Sequence, residues 1–323
     1  MTDNAPDCFR FGYNRLSLPG KDIMTDHQGT PPAEIEVSEE LVRALLEAQH
    51  PDLAELPLTL FENGWNNVMY RLGRKLLLRL PRRALAAPLV HHEQEWLPQL
   101  APGLPLPVPA PLRIGLPGAG YPWRWSVLPF LPGRPADWAP PGPDEGPVLG
   151  EFLLALHRPA PAQAPPNEFR GVPLAERRTI VEARLARLKE GTEAVTGAVE
   201  EAWRAALAAP PSEERLWLHG DLHARNVLTD GGCFSAVIDW GDITSGDAAT
   251  DLAAIWMLLP EAKARAEALK VYEPSAARLA RAKGWAVSFG TVLLETGLTD
   301  NPRHADMGAA ILARLSEDMA AGL

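Results

Sequence analysis

Residues 218–251 hold polar side chains whose types and spacing suit one chemistry. Leu218-His219-Gly220-Asp221-Leu222-His223-Ala224-Arg225-Asn226-Val227-Leu228 is followed by Val237-Ile238-Asp239-Trp240, then by Gly246-Asp247-Ala248-Ala249-Thr250-Asp251. Two carboxylates and an amide are what transfer of a phosphoryl group asks for. Its transition state offers a protein little covalent chemistry and rewards positioning and neutralisation of charge. The carboxylate of Asp221 is free to accept the proton of an attacking hydroxyl. The amide oxygen of Asn226 and the carboxylate of Asp239 are hard donors of the kind Mg²⁺ prefers, leaving its other positions for phosphate oxygens and water.

The spacing His219-x-Asp221-Leu222-x-x-x-Asn226 is that of a kinase catalytic loop. Val227-Leu228 and Ala236-Val237-Ile238 read as two short apolar strands, and Thr229-Asp230-Gly231-Gly232 as the turn that joins them. Such a hairpin sets Asn226 beside Asp239. Two other readings compete at this point. The polar residues are ordinary loop positions around a hairpin, or His219-x-Asp221-x-His223 holds Zn²⁺ in a metal-dependent hydrolase; the latter needs a further ligand and leaves Asn226 and Asp239 unexplained.

These motifs resemble the aminoglycoside phosphotransferase family of small-molecule kinases, which includes macrolide kinases and relatives of choline and homoserine kinases. The family's His-Gly-Asp-(Leu or Phe)-His-x-x-Asn, Ile-Asp-(Trp or Phe) and Gly-Asp-x-x-x-Asp-Leu-Ala segments stand here at His219–Asn226, Ile238–Trp240 and Gly246–Ala253. The resemblance runs from about residue 35 to 320. It implies an α+β, bilobal protein-kinase-like fold with a small antiparallel-sheet N-lobe and a larger, mainly helical C-lobe. It also implies ATP or GTP as phosphoryl donor, Mg²⁺ held by Asn226 and Asp239, and Asp221 as base. Asp247 and Asp251, with His219 and His223, would support the loop.

The elements that must position these groups are legible in outline. Ser38 is a helix N-cap before Leu41, Leu45 and Leu46 on one face. Leu58–Phe61, Val68–Leu72 and Lys75–Leu80 read as three strands of an antiparallel meander with turns at Gly64 and Gly73. By the resemblance, the loop Glu62–Asn67 covers the nucleotide phosphates. It has a single glycine, so Asn66 and Asn67 would supply amide donors. A kinase carries a basic residue on its third strand, paired with a helix Glu. Arg79 stands there, and its guanidinium suits phosphate. Glu93, on a helix expected over Pro88–Leu100, is the matching partner, with Glu95 in reserve; Arg82 and Arg83 read as surface charges at the strand end. Trp125–Gly133 resembles the strand and hinge that hold the nucleobase, through the carbonyl of Pro129 and the amide of Leu131. The organisation expected is thus a disordered extension over 1–33, a nucleotide lobe with hinge over 34–131, and a catalytic and acceptor lobe over 132–323.

Downstream, Val148–His157 reads as a core helix whose His157 is buried rather than catalytic. Residues 175–191 and 193–208 alternate Arg and Glu with Leu and Ala at helical spacing, which reads as solvated faces on acceptor-side helices. The tail 262–323 is helical, and Glu273, Glu295 and Asp300 are not assigned a role. Trp65, Trp138 and Trp240 could stack on a substrate ring, although burial is the commoner use of tryptophan.

Composition bounds the partners. The net charge of −10 argues against a nucleic-acid phosphate binder and permits a cationic acceptor, since residues 132–323 carry 19 Lys+Arg against 27 Asp+Glu. Cys8 and Cys233 make no disulfide framework and no apolar run reaches the ~20 residues of a membrane span, so a cytoplasmic protein is expected, translated from Met1 or from Met24. Within the family the acceptor hydroxyl belongs to an aminoglycoside, another antibiotic or a small metabolite. A nucleotide-binding regulatory protein remains the reading from a different class.

Overall fold

The computed structural model describes residues 32–64 and 66–322. The expected extension, apart from Pro32 and Ala33, lies outside the described residues, as do the alternative start at Met24 and Trp65. Two compact units form: residues up to Gln99 with Pro109–Leu131, and Leu100–Val108 with Pro132–Leu323.

In the first unit, helix α1 (Glu39–Gln49) begins where Ser38 Oγ accepts the Leu41 N–H at 3.2 Å, with Glu39 and Glu40 at its positive end. Its buried stripe of Val42, Leu45 and Leu46 joins the sheet's core residues Val68, Tyr70, Leu72, Leu78, Leu80, Trp125 and Val127. Strands β1 (Leu58–Asn63), β2 (Asn67–Leu72) and β3 (Leu76–Pro81) form the expected meander. Helix α2 spans Ala87–Leu100, and Gln94 ties it to the sheet by donating to Trp125 O at 2.8 Å and Ser126 Oγ at 3.0 Å. β4 (Arg113–Gly115) and β5 (Trp125–Pro129) complete a five-stranded antiparallel sheet in the order β1-β2-β3-β5-β4. β4 was not expected, being three residues among prolines. It pairs because Gly115 has no side chain: a Cβ there would fall 1.9 Å from the Trp125 indole.

The second unit is mainly helical. Its elements run β6 (Arg134–Pro135), α3 (Gly146–Leu156), a 3₁₀ turn Leu174–Arg177, α4 (Arg178–Gly191), α5 (Gly197–Ala208), β7 (Leu216–Leu218), β8 (Val227–Asp230) and β9 (Cys233–Val237). There follow β10 (Thr244–Gly246), α6 (Ala249–Leu252), α7 (Ala254–Leu258), α8 (Ala262–Tyr272), α9 (Ala276–Asp300) and α10 (Pro302–Ala321). α9 packs along α4, α5 and α10, and α3 lies on α8. Leu100–Val108 cluster here because the Val237 N–H donates to Pro107 O at 3.0 Å, extending β9's bonding. The β8–β9 hairpin closes on Gly231 and Gly232 at φ +58° and +87°, a pairing of left-handed residues that matches strand twist.

Candidate active site

The segment between β7 and β8 is a tight turn rather than an open loop. His223 N–H bonds Asp221 O, and Asn226 N–H bonds His223 O, each at 2.9 Å. The turn starts at Gly220, whose φ of +85° and 2.7 Å approach of Asp242 O to a would-be Cβ leave room for no side chain. One carboxylate holds the turn from outside, and a second holds the helix that carries it. Asp251, in α6, accepts the His219 N–H at 2.6 Å and the Gly220 N–H at 2.9 Å. Asp247 accepts the Ala249 N–H at the start of α6 and pairs with Arg281 at 2.6 Å.

Asp221 and Asn226 meet inside this turn. Asn226 Nδ2 donates to Asp221 O at 2.9 Å and approaches Asp221 Oδ2 at 3.4 Å. The amide group is thereby oriented with its oxygen turned from those contacts. The hairpin then brings Asp239 alongside, since Ile238 N–H donates to Asn226 O at 2.8 Å. Asp239 takes φ +57°, a left-handed conformation that Asp adopts more readily than most residues and that often marks functional turns. An amide and a carboxylate on neighbouring segments are donors of the oxygen-only kind that Mg²⁺ prefers.

The histidines are fully engaged. His219 Nε2 donates to Ile238 O at 3.0 Å, its Nδ1 accepts the Asp221 N–H at 3.2 Å, and its ring packs on the buried Trp240 at 4.8 Å. His223 Nδ1 accepts the Arg225 N–H at 3.2 Å, and its Nε2 lies 3.4 Å from Asp221 Oδ2. The two rings and Asp221 do not converge on one centre. Among the described residues no group of three His, Cys, Asp or Glu could hold a metal ion.

Burial presses the Asp221 carboxyl upward, but His223, Arg170 and His219 pull it down, and the balance leaves it below the usual carboxylate range. Burial drives His223 the other way, against the attraction of Asp221, so its imidazole is neutral at pH 7. The lasting cation beside Asp221 is therefore Arg170, whose Nη2 donates to Asp221 Oδ1 at 3.0 Å. His304 is also neutral, lowered to about 4 by burial and then by Arg225 and His223. It accepts from Arg225 Nη1 at 2.6 Å.

The family described as APH, the phosphotransferase enzyme family, matches residues 57–285, more than half of the chain. The chain belongs to this family. Solved structures agree on the fold. The GDP complex of wild-type aminoglycoside 2'-phosphotransferase-IIIa is 15% identical with a TM-score of 0.59, covering 89% of this chain and 100% of that one. The apoenzyme of macrolide 2'-phosphotransferase MphH from Brachybacterium faecium is 25% identical with a TM-score of 0.56, covering 85% and 98%. Macrolide 2'-phosphotransferase type I is 23% identical with a TM-score of 0.53 over the same shares. No curated protein matches the sequence. The fold is thus the α+β, kinase-like one of these phosphotransferases.

In the first unit, Arg79 on β3 and Glu93 on α2 form a buried ion pair, and Glu95 is not the partner. Asn66 O accepts the Arg82 N–H at 2.9 Å, and Asn67 O accepts the Gly64 N–H at 2.9 Å. Asn67 Oδ1 is buried without a hydrogen bond. Arg82, expected as a surface charge, is buried instead: its Nη1 holds the loop by donating to Asn63 Oδ1 at 2.7 Å and Gly64 O at 3.0 Å. Pro129 ends β5 opposite Leu76, and Leu131 is the unit's last residue.

Among the tryptophans considered for stacking, Trp240 is wholly buried and Trp138 carries Arg303 over its ring at 4.1 Å. Sequence reasoning passed over Arg170, which belongs to no motif and lies fifty-one residues before Asp221. Its turn is set by Asn167, whose Oδ1 accepts the Phe169 and Arg170 N–H groups; that Asx pattern is a signal a sequence offers.

Proposed function

We propose that the protein transfers the γ-phosphate of ATP or GTP to a hydroxyl of a small molecule. The observation that carries it is the single turn in which an ionised, buried Asp221 shares an amide with Asn226, itself bonded to the segment of Asp239. Asp221 accepts the hydroxyl proton as the nucleophile attacks. Arg170 keeps its carboxylate charged in a buried setting, and Asn226 fixes its orientation. Asn226 and Asp239 would hold Mg²⁺, which when bound neutralises charge on the transferring phosphates. Arg79, steadied by Glu93, and the amides of Asn66 and Asn67 would serve the donor phosphates, with Pro129 and Leu131 at the base. Nucleotides held by solved relatives, GDP in one and ADP in another, support a nucleotide donor. No helix among the described residues is long and apolar enough to cross a membrane, and Cys233 is a free, exposed thiol that suits a reducing cytoplasm.

The metal-hydrolase reading loses its support with His219, both of whose nitrogens are bonded. Release of ADP from ATP and Mg²⁺, measured across hydroxylated acceptors, is the test. Acceptor-dependent turnover is expected in the wild type and a loss of at least about a hundredfold in Asp221→Asn, as befits a general base. Turnover undiminished in that variant would remove Asp221 from the reaction, and nucleotide binding without turnover on any acceptor would favour a regulatory role.

A further inference from the structure

Close to Asp221 lies a set of guanidinium groups that proton transfer does not require. Arg170, Arg177 and Arg184 recur at seven-residue intervals through the loop before the 3₁₀ turn, the turn itself and α4. All three are buried, at 6%, 7% and 3% exposure. Arg170 bonds Asp221 and sits over the ring of Phe289 at 4.8 Å. Arg184 Nε donates to Glu295 Oε2 at 3.0 Å, but Glu295 is shared with Arg187.

Arg177 is the odd one. Among the described residues it makes no hydrogen bond or ion pair; the exposed Glu176 attracts it less than Arg170 and Arg184 repel it, and the Phe169 ring lies at 5.4 Å. Nε of Arg170, Nε of Arg177 and Nη1 of Arg184 are all buried without a partner. Burial lowers the pKa of Arg177 first, and repulsion from Arg170 and Arg184 adds to it, so the three cations lie within one another's fields. Three buried cations thus face one buried carboxylate, Asp221, and two at the surface, the partly exposed Glu295 and the exposed Glu176.

An uncompensated buried charge is costly to keep, and a cation–π contact at this distance replaces little of the lost hydration. The missing negative charge is best supplied by a ligand. Guanidinium forks match planar carboxylates and phosphate oxygens in geometry as well as charge. We infer that Arg177, with Arg170 and Arg184, binds an anionic group of the acceptor, a carboxylate or a phosphate ester, so that the substrate is a hydroxylated anion rather than a polycation. The anion site stands on the arginines alone, while its assignment to the acceptor rests on the phosphotransferase reading above. The acidic balance of residues 132–323, which by itself permits a cationic acceptor, is overruled locally by what lies beside the base.

The probes are inorganic phosphate, succinate and chloride at equal ionic strength, read by melting midpoint and by calorimetric titration of the full chain. Phosphate or succinate raises the wild-type midpoint beyond chloride, and the stronger of the two names the source of the anion. Arg177→Met binds that anion at least about tenfold more weakly, the loss expected for one charged hydrogen-bonding partner. Without anion it melts no lower than wild type, because the unpaired charge is gone. Arg177→Lys keeps part of the affinity and covers the case in which the Met variant does not fold. A wild type that responds no more to phosphate or succinate than to chloride overturns the site, as does an Arg177→Met protein that binds as tightly as wild type. ADP release on hydroxy acids and hydroxyalkyl phosphates against amino alcohols then tests the acceptor. Turnover confined to the amines overturns that assignment. Anion binding without turnover on any acceptor would sink the phosphotransferase reading and the acceptor assignment with it, and leave the anion site standing.

Discussion

The role of base proposed for Asp221 requires its ionised form, and two opposed effects set where that ends. Burial favours the neutral acid; His223 and Arg170 favour the carboxylate, and burial turns His223 itself toward its neutral form, so the guanidinium bonded to Asp221 is the main lever. Replacing Arg170 by Gln leaves burial unopposed and lifts the Asp221 pKa. Since the base is active above its pKa, the acidic limb of kcat against pH moves to higher pH in Arg170→Gln, and the loss of activity is largest on the acid side. A profile that falls uniformly at all pH values would mean that Arg170 acts on binding alone. At this scale the sequence was uneven as a guide. Asp221, Asn226 and Asp239 are legible because one turn and one hairpin bring them together, and both are local. Arg170 and Arg177 are not, because their importance comes from contacts with α9 and with a turn some fifty residues away. Arg177 also lies in an alternation of Arg with Glu that ordinarily marks a wet helix face, and only burial distinguishes it from its neighbours.

The turn that carries Asp221 is held by surrounding elements as well as by its own residues. α6 presents one carboxylate, Asp251, to two successive backbone donors, and β10 returns the chain beside β7 so that Asp242 O closes over Gly220. Gly220→Ala asks a side chain to adopt a left-handed conformation, about 1–2 kcal/mol by itself, and to push against a carbonyl. Its midpoint of unfolding should fall, and kcat should fall further than stability explains because Asp221 is the next residue. An alanine variant with wild-type kcat would show that the turn tolerates displacement. The strands of the meander and the helix of Glu93 could be read ahead because periodicity and turn residues mark them. β4 could not: three residues among prolines carry no period, and their pairing depends on Trp125 filling the space above Gly115. The hairpin is longer than its sequence suggested, since Thr229 and Asp230 pair with Phe234 and Cys233 and leave only the two glycines in the turn.

Over the whole chain, net charge is a poor guide to what any one place contains. The protein carries −10, yet its second unit buries arginines with specific partners. The most enclosed is Arg265 on α8, with no exposure at all. Its Nε and Nη2 meet Asp318 of α10 at 2.8 and 2.6 Å, its Nη1 meets Pro260 O at 2.7 Å, and Trp256 of α7 donates to the same Asp318 at 2.9 Å. One carboxylate thus joins α7, α8 and α10. Breaking such a pair from one side leaves the buried guanidinium only the exposed Glu317 and backbone carbonyls, at a cost of up to about 3–5 kcal/mol, whereas replacing both partners by apolar groups of similar volume is often neutral. Asp318→Ala should therefore lower the denaturant midpoint sharply, and adding Arg265→Met should restore much of it. A double variant no better than the single one would mean that the Trp256 bond and the helix packing, rather than the stranded guanidinium, account for the loss. Neither site touches Asp221 or the Arg170–Arg177–Arg184 set, so in the folded fraction of each variant anion binding and turnover should match the wild type.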